Sequence, residues 1–155
     1  MSLDEDASIE LMRQLRTAGQ LQHSWVASTW QNEEGGLHPA AAMLLSDLAR
    51  HGECRPSELA RRRMVDVSVV SRQIAQLTTA GLVDRRPAPE DGRAALVSVS
   101  EQGMIELKRW RGKYLKFFRT ALADWTDAEI AALTSRLTQM NEALREQLQP
   151  EDRPS

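Results

Sequence analysis

The sequence predicts a mainly α protein with one small β-hairpin, in which a compact central lobe lies between long terminal helices. Three observations carry this expectation. Apolar residues recur at helical spacing over most of the chain, as in Val70, Ile74 and Leu77. The period changes once, between Gly81 and Ser100, where two short runs flank the turn-rich segment Pro87-Ala88-Pro89-Glu90-Asp91-Gly92. Breakers and first-turn residues, notably Pro39, Gly52, Pro56 and Gly81, divide the helical stretches into short central pieces and long outer ones.

The first helix is expected over residues 7–31, with Ile9, Met12, Leu15, Gly19, Trp25 and Val26 at roughly helical spacing, and ends at Asn32-Glu33-Glu34-Gly35-Gly36. A second begins near Pro39, which suits a first turn, and runs through Met43, Leu44, Leu45 and Leu48 to Gly52. Pro56 opens a short third helix, Ser57 to Arg63, for which Arg55 is a poor cap. The fourth is capped by Asp66, buries Val70, Ile74 and Leu77, and stops at Gly81. With Gly81 just past the helix, Leu82 is set to meet Leu77 in a Schellman ending.

Val83 to Arg86 and Arg93 to Val99 then read as the two strands of a hairpin, with Ala95, Val97 and Val99 alternating toward the core. A fifth helix is expected from Ser100 to about Asp124, its apolar side formed by Leu107, Trp110, Tyr114, Phe117, Phe118 and Ala121. The sixth opens on a capping box, Thr126 with Glu129, and on a hydrophobic staple, Trp125 with Ile130. Its Ile130, Leu133, Leu137, Met140 and Leu144 alternate steps of three and four, the seam of a helix packed lengthwise against another. The expected organisation is therefore an N-terminal helix over 1–36, a central lobe over 37–99, C-terminal helices over 100–149 and a disordered tail at 150–155.

At 155 residues the chain can bury a workable core without staples, and its single cysteine, Cys54, excludes an intrachain disulfide framework. The acidic start MSLDEDASIE has no signal-peptide core, and no window offers a membrane span, so a cytoplasmic protein with no membrane partner is expected. Residues 55–93 carry eight Arg against five Asp or Glu, a local +3, while the rest of the chain carries 12 basic and 17 acidic residues, a net −5. A basic module between acidic flanks suits a nucleic-acid partner better than the overall charge of −2 suggests. His23, His38 and His51 stand singly, without ligand spacing, so no metal site is expected. No glycine loop, nucleophile elbow or cysteine–histidine pair is recognisable. No catalytic residue and no cofactor are assigned, and the chain is not expected to be an enzyme.

Two short helices joined by Met64-Val65-Asp66 and followed by a basic hairpin have the order of a winged helix-turn-helix. A helix fits the major groove of double-stranded DNA, and side chains near its N-terminal half reach base edges. On the fourth helix Ser68, Arg72 and Gln76 lie opposite the buried stripe. Arg72 has the geometry to bind guanine, Gln76 to bind adenine, and Val67 or Val69 to touch a thymine methyl, while Ser68 or Ser71 suits a phosphate. Ser57 and Arg62 on the third helix join the backbone contacts. In the hairpin, Arg85, Arg86 and especially Arg93 face DNA, Arg93 at a tip that fits a minor groove. Asp91 and Gly92 shape the turn, Asp91 by pairing with Arg85 or Arg93. The competing reading of each feature is a solvated helix face or a solvated turn.

The run Val65-Asp66-Val67-Ser68-Val69-Val70-Ser71-Arg72, then Leu77-Thr78-Thr79-Ala80-Gly81-Leu82-Val83-Asp84-Arg85-Arg86, then Asp91-Gly92-Arg93 and Ser100-Glu101-Gln102-Gly103, resembles the MarR family of bacterial transcription regulators over nearly the whole chain. The resemblance implies a homodimer formed by the terminal helices, with two winged lobes reading a pseudo-palindromic operator. It further implies repression relieved by a small phenolic or other aromatic effector. Trp25, Trp30, Trp110, Tyr114, Phe117 and Phe118 are the candidates to line an effector pocket, with Arg16 to hold an anion, although such residues more often serve as core or dimer interface.

Three positions depart from the family pattern. Arg63 replaces a usual core leucine, with Met64 expected to fill the gap and the Arg63 head turned to phosphate. Val67 stands where lysine is common, and Val99-Ser100 replaces Leu-Thr while keeping a helix cap. Cys54 lies outside the first helix, where oxidant-sensing relatives usually carry theirs, and reads as a structural thiol. Val67 and the negative overall charge leave open a rival, a winged protein-interaction module that has lost DNA binding.

Overall fold

The computed structural model describes residues 4–31 and 38–148, with the side chains of Trp30 and Gln31 left out. The expected break at 32–36 and the expected tail at 150–155 lie outside the described residues. Helix α1 spans Glu5–Gln31, α2 Pro39–His51, α3 Pro56–Arg63 and α4 Val67–Thr79. Strands β1 (Val83–Pro87) and β2 (Ala95–Val99) follow, then α5 (Glu101–Ala121) and α6 (Asp127–Leu148). The fold is mostly helical with a two-stranded antiparallel hairpin, as the sequence predicts. The chain forms two compact units, one through Trp110 and one from Arg111, with the boundary inside α5.

Helix ends follow local chemistry. The Asp4 carboxylate accepts from the Ala7 N–H at 3.1 Å, so α1 starts two residues before the expected position. His38 Nδ1 accepts from the Ala40 N–H at 3.2 Å, ahead of Pro39, and α2 ends at Gly52 with φ of 80°. Arg55 does not cap α3. Instead Glu58, at the third helical position, accepts from the Arg55 N–H at 3.1 Å. Helix α5 stops at Ala121 rather than near Asp124, because the Leu122 carbonyl turns to accept from the Trp125 N–H at 3.0 Å. The capping box of α6 is closed. Thr126 Oγ1 accepts from the Glu129 N–H at 3.2 Å, and the Glu129 carboxylate accepts from the Thr126 N–H at 2.8 Å. The Thr126 N–H, joined by the Thr126 hydroxyl, which donates to the same carboxylate at 2.8 Å, holds the Glu129 carboxyl below its ordinary pKa.

The core lies entirely in the first unit. Ala41, Leu44, Leu45 and Leu48 of α2 meet Leu59 and Ala60 of α3, Val70, Ile74 and Leu77 of α4, and Leu82, Val83 and Val97 of the hairpin, with Val99, Leu107 and Trp110 packed against them. Leu44, Leu45, Leu48, Leu59, Leu77, Val70 and Val97 have no exposed surface, so the predicted stripe of α4 is the centre of this lobe. Met64, expected to fill the place of a core leucine, is instead exposed. It occupies a left-handed conformation, φ 54°, which carries the chain out of α3 and turns its side chain away from the core. The Arg63 head, expected to face phosphate, is bound to the Asp47 carboxylate of α2 and half-buried there.

The second unit has a different character. Helix α6 has no buried residue, and its seam residues Ile130, Leu133 and Leu144 are exposed in the single chain. On α5, Tyr114 packs on Phe117 and Phe118, with ring centroids 6.4 and 5.2 Å away.

Candidate nucleic-acid interface

The turn between α3 and α4 is built by one Schellman ending and one cap, and a second Schellman ending closes α4. At the end of α3 the Val65 N–H reaches back to the Ala60 carbonyl at 3.1 Å, and the Met64 N–H reaches the Arg61 carbonyl at 3.1 Å. Asp66 then starts α4. Its carboxylate accepts from the Ser68 N–H at 2.8 Å. The Ser68 hydroxyl, the larger influence, and this N–H together hold the Asp66 carboxyl below its ordinary pKa. At the far end the Leu82 N–H meets the Leu77 carbonyl at 2.9 Å, with Gly81 at φ 74°, as the sequence predicts. A helix tied at both ends, with one face in the core, presents its other face in a fixed orientation.

That outward face carries Ser68, Ser71, Arg72 and Gln76, all exposed, with Val67 and Val69 at 45% and 39% exposure along its two edges. Arg72 is its only charged side chain. Ser57 and Arg62 of α3 are also exposed. Arg62 has a second neighbour, the thiol of Cys54. Burial is the larger influence on that thiol and pushes its pKa up, with Arg62 drawing it partly back, so Cys54 at 3% exposure stays protonated at neutral pH.

The hairpin pairs Val83 with Val99, Arg85 with Val97 and Pro87 with Ala95, and closes beyond them where the Ala88 N–H meets the Ala94 carbonyl at 2.9 Å. Pro87 is tolerated because β1 is an edge strand. Arg93 lies in the turn rather than in the strand where the sequence suggested it, and it is exposed, as is Arg85. Asp91 has a structural role, but its partner differs from the expected guanidinium. Its carboxylate accepts from the Arg93 backbone N–H at 3.0 Å, and its carbonyl accepts from the Ala94 N–H at 3.0 Å. The turn is thus fixed without using the Arg93 side chain.

Three residues before α3 hold the hairpin, a role the sequence did not signal. Cys54 pairs with Val97 through two backbone hydrogen bonds of 3.1 and 2.9 Å and acts as a one-residue third strand. Glu53 takes Arg86 in a two-pronged ion pair, Nε to Oε2 at 2.8 Å and the terminal nitrogen to Oε1 at 2.5 Å. This pair lowers the Glu53 pKa. Arg55 reaches Glu90 at 3.8 Å, a weak contact since Glu90 is largely exposed. Arg86, though exposed, is therefore engaged by Glu53 within the lobe; Arg85 and Arg93 are also exposed.

The joint between hairpin and α5 is equally specific. The Ser100 hydroxyl donates to the Gly81 carbonyl at 2.6 Å and accepts from the Gly103 N–H at 3.0 Å, so the expected cap of α5 also ties the end of α4. Gly103 is required there. A Cβ on it would stand 2.2 Å from the Leu82 carbonyl oxygen and 2.7 Å from Val99 Cγ1.

The residues nominated for an effector are divided between the two units. Arg16 is exposed on α1, Trp25 is half-buried on the same helix, and Trp110 packs on the core of the first unit. Tyr114 belongs to the aromatic cluster of the second unit, where burial raises its pKa. The side chain of Trp30 lies outside the described residues. In the second unit Gly112, Leu115, Lys116, Arg119 and Thr120 form a shallow open face along α5.

The MarR family profile matches residues 35–94, the stretch from just before α2 to the turn of the hairpin. A Bacillus subtilis protein named as the HTH-type transcriptional regulator YxaD is 32% identical over 113 residues, covering 73% of this chain and 79% of its own. Among solved structures, a probable transcriptional regulator from Pseudomonas aeruginosa superposes with a TM-score of 0.68 at 29% identity, over 88% of this chain and 99% of its own. A mutant MarR from E. coli, solved in complex with operator DNA, superposes with a TM-score of 0.71 at 21% identity, over 90% of this chain and 99% of its own, and so shares the fold. With the winged helix-turn-helix geometry and these relatives together, the chain is a member of the MarR family of transcription regulators, built on a DNA-binding winged-helix fold.

Proposed function

We propose that this protein is a homodimeric repressor that binds a pseudo-palindromic DNA operator and releases it when a small aromatic acid binds. The observation that carries the reading is the division of α4 into a face sunk in the core and an opposite face that displays Arg72 and Gln76, within a lobe whose hairpin displays Arg93. Arg72 reads guanine and Gln76 reads adenine in the major groove, flanked by Val67 and Val69. Ser57, Ser71, Arg62 and Arg85 hold phosphates. Ser68 acts by fixing the start of this helix, since both its hydroxyl and its backbone N–H meet the Asp66 carboxylate. Arg93 enters the minor groove from a turn shaped by Asp91 and Gly92, and Arg86 positions the wing through Glu53.

Dimerisation is supported by uncovered apolar side chains on the terminal helices: Ile9, Leu11, Met12 and Leu21 on α1, and Ile130, Leu133 and Leu144 on α6. Such surface calls for a partner, and a second copy satisfies it on residues 1–36 and 100–149 while leaving 37–99 for DNA. Two-fold symmetry then spaces the recognition helices about 34 Å apart, one turn of DNA. Occupying a promoter in this way blocks polymerase, as is common in the family. The aromatic and cationic side chains suited to such an effector in the first unit are Arg16, Trp25 and Trp110, and Tyr114 is the corresponding candidate in the second. No helix among the described residues is long and apolar enough to cross a membrane, which agrees with work in the cytoplasm.

The test is a gel shift on the DNA upstream of the protein's own gene, repeated at increasing salt and with aromatic acids such as benzoate. A specific shift that weakens steeply with salt and is reversed by an aromatic acid is expected. A protein that shifts no duplex at low salt would overturn the reading.

A further inference from the structure

Resting on the reading of the protein as a homodimer, we infer that the basic face of α5 centred on Gly112 receives the acidic start of α1 from a second copy of this chain, so that ion pairs between copies hold the dimer together with its apolar surface. The starting point is a concentration of charge that base reading by the lobe does not use. Between Leu107 and Ala123 the chain carries Lys108, Arg109, Arg111, Lys113, Lys116 and Arg119 and no acid. Arg109 is held by Glu106, whereas Lys108, Arg111, Lys116 and Arg119 are exposed and make no ion pair among the described residues. Gly112 lies among them, with nothing within 4 Å of where its Cβ would stand. Glycine inside a helix is destabilising relative to alanine. At Gly103 of the same helix, close packing on Leu82 and Val99 explains it. Gly112 has no such reason within its own chain, and a local rule broken without a gain in stability marks a functional position.

The two faces match in pattern as well as in sign. At about 100° per residue, Lys108, Gly112, Leu115, Lys116 and Arg119 fall in one stripe of α5, with Arg111 at its edge. The cap Asp4 with Ala7, Glu10 and Leu11 forms a similar stripe at the start of α1, with Asp6 at its edge. Each stripe has a small residue at its centre, one exposed leucine, and charge on both sides, positive on α5 and negative on α1. The distance between packed helices is set by the side chains at their crossing, so Ala7 over Gly112 brings the charged rims within reach of each other. Arg13 pairs with Glu10 inside the chain, which leaves Asp4 and Asp6 as the acids of the stripe without an ion pair among the described residues. Acids in a first turn also favour the helix dipole, but the bare cations and the glycine of α5 have no counterpart reason in the single chain. A duplex would match the cations and leave Gly112 and Leu115 unexplained. Leu11 belongs to the uncovered apolar surface already assigned to the dimer, so the contact is continuous with that interface.

The experiment measures the dimer dissociation constant of the full-length protein by sedimentation, without DNA. Raising NaCl from about 50 mM to about 500 mM is expected to weaken the wild-type dimer about tenfold. Lys116→Glu with Arg119→Glu is expected to weaken it about a hundredfold at low salt, and Asp6→Lys with Glu10→Lys to weaken it about tenfold or more. All these positions lie on helix surfaces, and circular dichroism checks that the variants fold. The decisive arm joins the four changes in one chain, which restores opposite charge across the contact. That chain is expected to dimerise within about threefold of the wild type and the two double variants to prefer each other when mixed, a rescue that misfolding could not produce. A wild-type dimer indifferent to salt, or a fourfold variant no better than Lys116→Glu with Arg119→Glu, would overturn the inference while leaving the homodimer intact. So would an α5 variant that keeps the wild-type dimer but binds every duplex less tightly at low salt, since the face would then serve DNA phosphates. A wild type that is monomeric at low salt would instead remove the homodimer reading, and this inference with it.

Discussion

Arg72 and Arg93 are both exposed arginines of one lobe, yet they are expected to fail differently when removed. Arg72 sits on the face of a capped helix and meets base edges, so Arg72→Ala should cost about 1–3 kcal/mol of binding and relax preference at one base pair per half-site. Arg93 sits in a turn held by its own backbone N–H on Asp91. Arg93→Ala should therefore leave the wing folded and weaken binding, most for duplexes with a narrow A·T-rich minor groove under the wing, without changing the base preferred under α4. Anisotropy titrations on duplexes that differ at these places separate the two. Gly103 acts on the fold instead. Gly103→Ala forces a methyl against the Leu82 carbonyl and Val99, and should destabilise the lobe by about 2 kcal/mol or more in a urea melt despite the better helix propensity of alanine. Arg63 and Met64 show why single residues can mislead. Their apolar-or-charged character suggested a stem over the core, but the left-handed Met64 and the Asp47 partner are set by tertiary geometry that no local pattern carries.

At the scale of elements, the helices were legible because their signals are local. Asp66, Gly81, Ser100 and the Thr126–Glu129 box each act within four residues along the chain or at a turn, and each stands where the sequence suggested. The clamp on the hairpin was not legible. Glu53 and Arg86 are 33 residues apart in sequence, and nothing in either segment announces the other. Both Glu53 and Asp66 have depressed pKa values in the folded state, so their stabilising effect is complete above the ordinary carboxylate range and is lost as the pH falls through the depressed values. Loosening of the wing is therefore expected below about pH 4 and not between 5 and 8, which hydrogen exchange of the Val97 and Ala88 amides would detect. Glu53→Gln should bring the same loosening to neutral pH. Unchanged exchange in that variant would show that backbone pairing through Cys54 suffices.

For the whole molecule, the lobe and the terminal helices answer to different partners. The first unit closes its own core, whereas α6 has no fully buried residue and leaves Ile130, Leu133 and Leu144 of its seam exposed in the single chain. Leu133→Asp should yield a monomer by sedimentation with a folded lobe by circular dichroism, and should weaken operator binding about a hundredfold through loss of the second half-site. The regular steps of that seam were readable from sequence; what covers it was readable only through the family resemblance. The central claim is that the outward face of α4 reads bases while arginines elsewhere meet phosphates. It is tested most directly by measuring, for the wild type and Arg72→Ala, the relative affinity for every single-base-pair change in a selected duplex. The account expects the variant to lose discrimination at one symmetry-related base pair and to keep the wild-type pattern elsewhere; an identical pattern at every position would contradict it.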